Sequence, residues 1–228
     1  MTWWRLILVA APMVAAAGGT ASAQPRSAGR PARVEIGAGL TWIGVASIGG
    51  SDANETTPGG GSSRLFSTST DLGAAPGVDA RVGVRLTDLL QIEGAASYSA
   101  PSVRTTIGND VETSDVTIAT EPVKQIVVEA DVLVFLSRQR AGKRGTPFIS
   151  AGAGYLRQLH EGATLVQTGR TFQAGGGVKF VLAARNRSLL KTVGVRADAR
   201  AVARVSGVTL DGRTHLSPAL GAGLFVGF

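Results

Sequence analysis

From Val34 to Phe228, apolar and polar residues alternate with a period of two in one segment after another. Successive side chains point to opposite faces only in an extended chain, so this period selects strands over helices. In Val34–Trp42 the even positions are apolar or Ala, and the odd ones are polar or Gly. Val78–Leu86 repeats the pattern with charges on the odd face. Leu90–Ser99 sets Leu90, Ile92, Ala96 and Tyr98 against Gln91, Glu93, Ser97 and Ser99. Ile126–Leu136 sets Ile126, Val128, Ala130, Val132, Val134 and Leu136 against Glu129 and Asp131. Four more strands follow: Phe148–Leu156, Thr171–Leu182, Val193–Val202 and His215–Phe228. No stretch after the N-terminal segment reaches the roughly 18 apolar residues of a transmembrane helix.

These eight strands run about nine to fourteen residues, and a tilted strand needs about nine to eleven to cross a bilayer. The connections alternate in length. The first, third, fifth and seventh are long and rich in Gly, Ser, Thr and Asp, and Ala46–Gly73 is the longest. The second is a short turn around Thr87-Asp88, while Ser137–Thr146 and Ala183–Thr192 are of middle length. Even strand number, long outer loops and shorter inner turns predict an all-β, eight-stranded antiparallel up-and-down transmembrane β-barrel.

Periodicity alone does not say which face meets lipid, since a soluble barrel has the same alternation with its apolar face inward. The last strand decides. Leu220, Ala222, Leu224, Val226 and Phe228 alternate and end on the aromatic residue. This resembles the terminal signal that barrel-insertion machinery reads in bacterial outer-membrane proteins. It assigns the even positions of that strand to lipid. Trp42, Tyr98, Tyr155 and Phe172 also fall on apolar faces, each at a strand end beside a long loop. Amphipathic rings favour the membrane interface, so these four form the expected outer aromatic girdle. The inner girdle is thinner, with Phe228 its clearest member.

The opposite faces collect six acids, Glu35, Asp79, Glu93, Glu129, Asp131 and Asp198, and five bases, Arg81, Arg85, Lys179, Arg196 and Arg200. An eight-stranded barrel is just wide enough for side chains to fill it. Unpaired buried charges are costly, so near-balance predicts pairing. The planar fork of Arg suits bidentate contact with carboxylates. The expected result is an ion-pair network that plugs the lumen.

With these features the chain resembles the small eight-stranded outer-membrane proteins, such as the OmpA transmembrane domain, OmpX and OmpW. The resemblance covers Arg33–Phe228 and implies residence in the bacterial outer membrane, porin-like architecture, and contact with outer-membrane lipid and lipopolysaccharide. It implies no single function, because the group includes adhesion proteins, narrow channels and lipid-modifying enzymes. No peptidoglycan-binding domain follows Phe228, so a tether to the cell wall is not expected.

The N-terminus reads as an export signal. Residues 1–23 combine a basic start at Arg5, an apolar run from Leu6 to Ala17 and an Ala21-Ser22-Ala23 cleavage site. Residues 24–32 then read as a flexible lead-in and 33–228 as the barrel domain. The absence of Cys excludes disulfides, thiol nucleophiles and an N-terminal lipid anchor on Cys. Two His, His160 and His215, leave little for a metal centre. No cofactor and no metal is expected.

The strongest candidate for chemistry is His215-Leu216-Ser217, which resembles the His-x-Ser motif of lipid A deacylases. Both residues occupy odd, lumen-facing positions, whereas a deacylase must open its nucleophile to lipid. The carboxylate that would orient the His is also missing from any later strand. Gly175-Gly176-Gly177 lacks the Lys-Ser/Thr and helix of a phosphate loop and reads as strand glycine. Asp52, Glu55 and Asp71 in the first loop, and Asp110, Glu112 and Asp115 in the second acidic loop, lack the spacing of a calcium loop.

Without residues 1–23 the chain keeps 22 Lys+Arg against 16 Asp+Glu, a charge of +6, which gathers in turns on the periplasmic side: Arg138, Arg140, Lys143 and Arg144, then Arg185, Arg187 and Lys191, with Arg26 and Arg30 nearby. That placement suits anionic lipid headgroups or solvent rather than nucleic acid.

The expected role is structural or surface-interacting, non-enzymatic, through long outer loops and an extracellular ligand the sequence does not name. The alternatives are a narrow pore and a lipid A-modifying enzyme. Of the 31 Gly, eleven fall on the lumen face: Gly37, Gly39, Gly83, Gly152, Gly154, Gly175, Gly177, Gly194, Gly221, Gly223 and Gly227. Gly weakens a strand, so its use here implies room left for long charged neighbours.

Overall fold

The computed structural model describes residues 32–56, 60–108, 116–137, 145–159, 166–184, 189–206 and 213–228. The predicted export signal and most of the lead-in lie outside them. So do Arg138, Arg140, Lys143, Arg144, Arg185, Arg187, Asp110, Glu112, Asp115 and His160.

Twelve strands are described: β1 (Val34–Ile43), β2 (Ala46–Thr56), β3 (Ser62–Leu72), β4 (Ala75–Arg85), β5 (Leu90–Ser99), β6 (Ser102–Gly108), β7 (Val116–Pro122), β8 (Lys124–Phe135), β9 (Gly145–Leu159), β10 (Val166–Ala184), β11 (Thr192–Ser206) and β12 (His215–Gly227). Eight of them close a barrel in the order β1-β12-β11-β10-β9-β8-β5-β4. All its pairs are antiparallel, and closure comes from β1, which pairs β12 on one side and β4 on the other. Closure removes every free edge, the condition for strands to cross lipid.

The eight barrel strands are the eight that alternation predicts. The first and third long connections are not the irregular loops expected of them. They form the hairpins β2–β3 and β6–β7, and β3 pairs β6, giving a second sheet of order β2-β3-β6-β7. Each of its strands continues a barrel strand after a break of one or two residues, such as Gly73-Ala74 or Ala100-Pro101. Backbone bonds bridge the breaks, from Gly73 N to Ser102 O and from Val123 N to Pro101 O, both 2.8 Å. Four adjacent barrel strands, half of the wall, thus continue into an open sheet. Its base has a small apolar core of Ala46, Ile48 and Leu72, with Val103 against it. The inner turn between β4 and β5 is tight: Thr87 Oγ1 accepts from the N–H of Leu90 at 3.0 Å.

Strands β9, β10 and β11, of 15, 19 and 15 residues, exceed the predicted spans. Tyr155 and Phe172 therefore sit inside their strands, several residues short of the outer ends. Beyond these rings the strands turn polar on both faces, as in Arg157-Gln158 and Gln167-Thr168, which suits a wall rising out of the membrane into water.

The two faces are inverted relative to a soluble barrel. Large apolar residues lie on the outside, with Leu40 69%, Leu224 63% and Val128 55% exposed. Charged residues lie inside, with Glu35, Glu93, Asp131, Lys179 and Arg196 buried. A continuous exposed apolar surface around a closed barrel is the signature of contact with lipid. No helix among the described residues is long and apolar enough to cross a membrane. The crossing is made by strands. Trp42, Tyr98, Tyr155 and Phe172 all project outward, on the side of the raised sheet.

Candidate functional site

The interior is built by register. Odd positions of β1, β4, β5, β8, β10 and β12, and even positions of β9 and β11, point inward. This brings all eleven charged residues named from the sequence into one column. Glu93 is its hub. It receives two hydrogen bonds from Arg196 Nη1, at 2.6 and 2.8 Å, and one from Arg81 Nη1 at 3.2 Å. Arg196 Nε reaches Asp198 at 2.9 Å, and Arg81 pairs with Asp79. Toward the inner end, Glu35 takes Arg85 at 3.1 Å and Lys179. Toward the outer end, Arg200 contacts Asp198 at 3.0 Å and Glu129 at 3.4 Å.

Residues the sequence reading left aside complete this column. Gln91 Nε2 donates to Glu35 and Glu93, both at 3.4 Å. Gln173 bridges Glu129 and Asp131 and accepts from Arg200 at 2.7 Å. Asp131 has no cation paired with it among the described residues; the Gln173 amide is its partner. Three phenylalanines face inward rather than joining a girdle. The Arg85 guanidinium lies 4.5 Å from the Phe135 ring centre, and that of Arg196 4.7 Å from Phe148. Lys179 lies between Phe135 and Phe225, at 5.5 and 5.3 Å. Cation–π contact of this kind strengthens as water is excluded. Alternation was the signal for the Gln residues. The Phe residues were obscured because an apolar residue on a charged face contradicts a two-face reading.

The inner glycines have two causes. Some yield to side chains: a Cβ on Gly152 would overlap Asp131 Oδ1 and come 2.5 Å from Ala130 O. Others let backbones approach. Gly39 and Gly223 face each other across β1 and β12. A Cβ on Gly39 would lie 2.9 Å from Gly223 Cα and 2.6 Å from Ala222 O. A cavity of about 30 Å³ lies among Glu35, Arg81, Glu93, Lys179 and Arg196, room for about two or three waters.

The His215–Ser217 pair is on the inner face near the outer mouth, as its odd numbering implies. Ser217 Oγ is buried and has no hydrogen-bond partner. A serine nucleophile needs a base within hydrogen-bond reach, and here none is engaged. On the raised sheet, Asp52 pairs with Arg64 at 2.9 Å with both side chains about half exposed. No group of three or more metal-ligating side chains occurs among the described residues.

No protein-family model matches the chain, and no curated protein does. Solved structures do. Neisserial surface protein A matches with 15% identity and TM-score 0.49, over 86% of this chain and 97% of that one. The outer membrane protein OprG of Pseudomonas aeruginosa matches with 11% identity and TM-score 0.48, over 88% and 98%. The N-terminal β-barrel domain of OprF from the same organism matches with 12% identity and TM-score 0.43, over 86% and 99%.

Proposed function

We propose that this chain is a bacterial outer-membrane barrel with a plugged lumen, whose work is surface interaction through the raised sheet β2-β3-β6-β7. The sheet carries the reading. A barrel that served only as membrane filler has no use for four extra strands, and recognition surfaces are commonly displayed on a rigid scaffold. The sheet's Ser- and Thr-rich strands, with Leu65 and Phe66 partly exposed, offer a mixed polar and apolar contact surface. The packed charge column supports a plug, because paired ions linked side to side leave room for only a few waters. The outer apolar belt contacts outer-membrane lipid and lipopolysaccharide, and the barrel-insertion machinery delivers the chain. The unpartnered Ser217 hydroxyl supports a non-enzymatic role.

The absence of native Cys makes the test direct. Ser69→Cys on β3 should react with a membrane-impermeant maleimide on intact cells, while Asp88→Cys in the tight inner turn should not. Replacing 46–73 and 101–123 by short turns should leave a folded barrel and abolish any adhesion or aggregation the chain confers on cells. Unchanged adhesion after that replacement, or labelling at position 88 alone, would overturn the reading.

A further inference from the structure

We propose that the outer mouth of the barrel holds a compact anion of halide size, bound by Arg204 and Ser217 beneath the raised sheet. Arg204 occupies the next inward position of β11 after Val202 and is only 5% exposed. Its Nε and Nη1 have no hydrogen-bond partner. The other inward arginines, Arg81, Arg85, Arg196 and Arg200, all have carboxylate partners. Arg204 has none among the described residues. A guanidinium does not lose its proton in a protein, so this buried charge calls for a counter-charge.

A second orphan hydroxyl lies one inward position deeper on β12, just below the residues that line the cavity. Ser217, 1% exposed, has an Oγ without a partner. Register pairs Arg204 with His215 and Val202 with Ser217, which makes Arg204 and Ser217 diagonal neighbours on the inner face. Arg204 opens on a cavity lined by Ile48 and Leu72 from the raised sheet, and by Leu156, Gln158, Ser206 and His215 from the barrel. Among the described residues no carboxylate lines it. Two faces of the site therefore point to an anion: donors without acceptors, and a net positive charge under an apolar cover.

Size narrows the class. The cavity has about 10 Å³ of room for a water centre, the space of a single water. A single small ion suits that space better than a branched oxyanion, and water brings no charge. Chloride fits both limits. Ile48 and Leu72 of the raised sheet line the site, so seating the sheet and binding the ion favour each other. The ion would act as a staple between the membrane barrel and its outer surface.

The test uses the full folded chain crystallised in sodium bromide. An anomalous peak in contact with the Arg204 guanidinium is expected. A well-ordered Arg204 with no peak overturns the proposal, as does a carboxylate from 160–165 or 207–212 in its place. In solution, chloride should raise the temperature at which the folded, fast-migrating gel band is lost, relative to gluconate at equal ionic strength. Arg204→Gln should abolish that rise, and Ser217→Ala should weaken the half-saturating chloride concentration severalfold. A rise of wild-type size in Arg204→Gln overturns the proposal. The bromide crystal needs no variant, so a failure of Arg204→Gln to fold leaves the question decidable.

Discussion

Glu93→Ala strikes the charge column at its hub. Glu93 is 3% exposed and accepts from both Arg196 and Arg81. Removing one partner of a buried ion pair costs about 3–5 kcal/mol, chiefly because the remaining charge is left buried and unpaired. The loss is not doubled here, since Arg196 retains Asp198 and Arg81 retains Asp79. We expect about 3–5 kcal/mol, or roughly a hundred- to several-thousand-fold in the folding constant. Asp52→Ala is the matched control. Its pair with Arg64 has a similar separation, 2.9 Å, with side chains 54% and 43% exposed. Solvent screening limits such a pair to about 0–1 kcal/mol. The assay is equilibrium urea unfolding in lipid vesicles, read by tryptophan fluorescence. In the chain lacking residues 1–23, Trp42 is the sole tryptophan and reports from the outer girdle. A double-mutant cycle with Arg196→Ala should give a coupling near the upper end of the usual 0.5–3 kcal/mol. The reasoning fails if Glu93→Ala lies within about 1 kcal/mol of Asp52→Ala, because the interior ions would then be hydrated rather than packed.

Other positions test other parts of the account. Gly152→Val should destabilise by about 1–3 kcal/mol in the same unfolding assay, the range for overpacking, since its Cβ would overlap Asp131 and approach the Ala130 carbonyl. On the lipid face, Ala197→Arg near mid-strand should cost about 2–4 kcal/mol and Val205→Arg, beyond the Phe172 ring, about 0–1; equal costs would contradict the membrane position. Phe228 closes the seam, with Arg33 N donating to its carbonyl and its own N–H donating to Val34 O, both 2.8 Å. Deleting Phe228 should therefore reduce the heat-modifiable folded band in outer-membrane fractions.

The barrel was legible because its physics is periodic. Lipid outside and a narrow charged lumen inside force every second residue to one class, and β1 through β12 show it wherever they cross the membrane. The raised sheet was not legible. Sequences such as Ser67-Thr68-Ser69-Thr70 have no apolar face, and in water they need none. Their strand state comes from pairing with neighbours, as in β3 on β6, which no local period records. The same cause hid the extensions of β9, β10 and β11. It also hid Arg204, which the seventh predicted strand, ending at Val202, stopped two residues short of reaching. The charge column itself was visible as a set of residues. Its hub was not, since which acid meets which base depends on the register between β5 and β11, strands that are not adjacent in the barrel.

Planar-bilayer recording of the purified, folded barrel tests the central claim most directly. A lumen closed by paired charges predicts electrical silence across a wide voltage range, in the wild-type chain and in Asp52→Ala alike. Steady unitary currents whose size changes with Arg196→Ala would contradict it and make the charged column the lining of a pore.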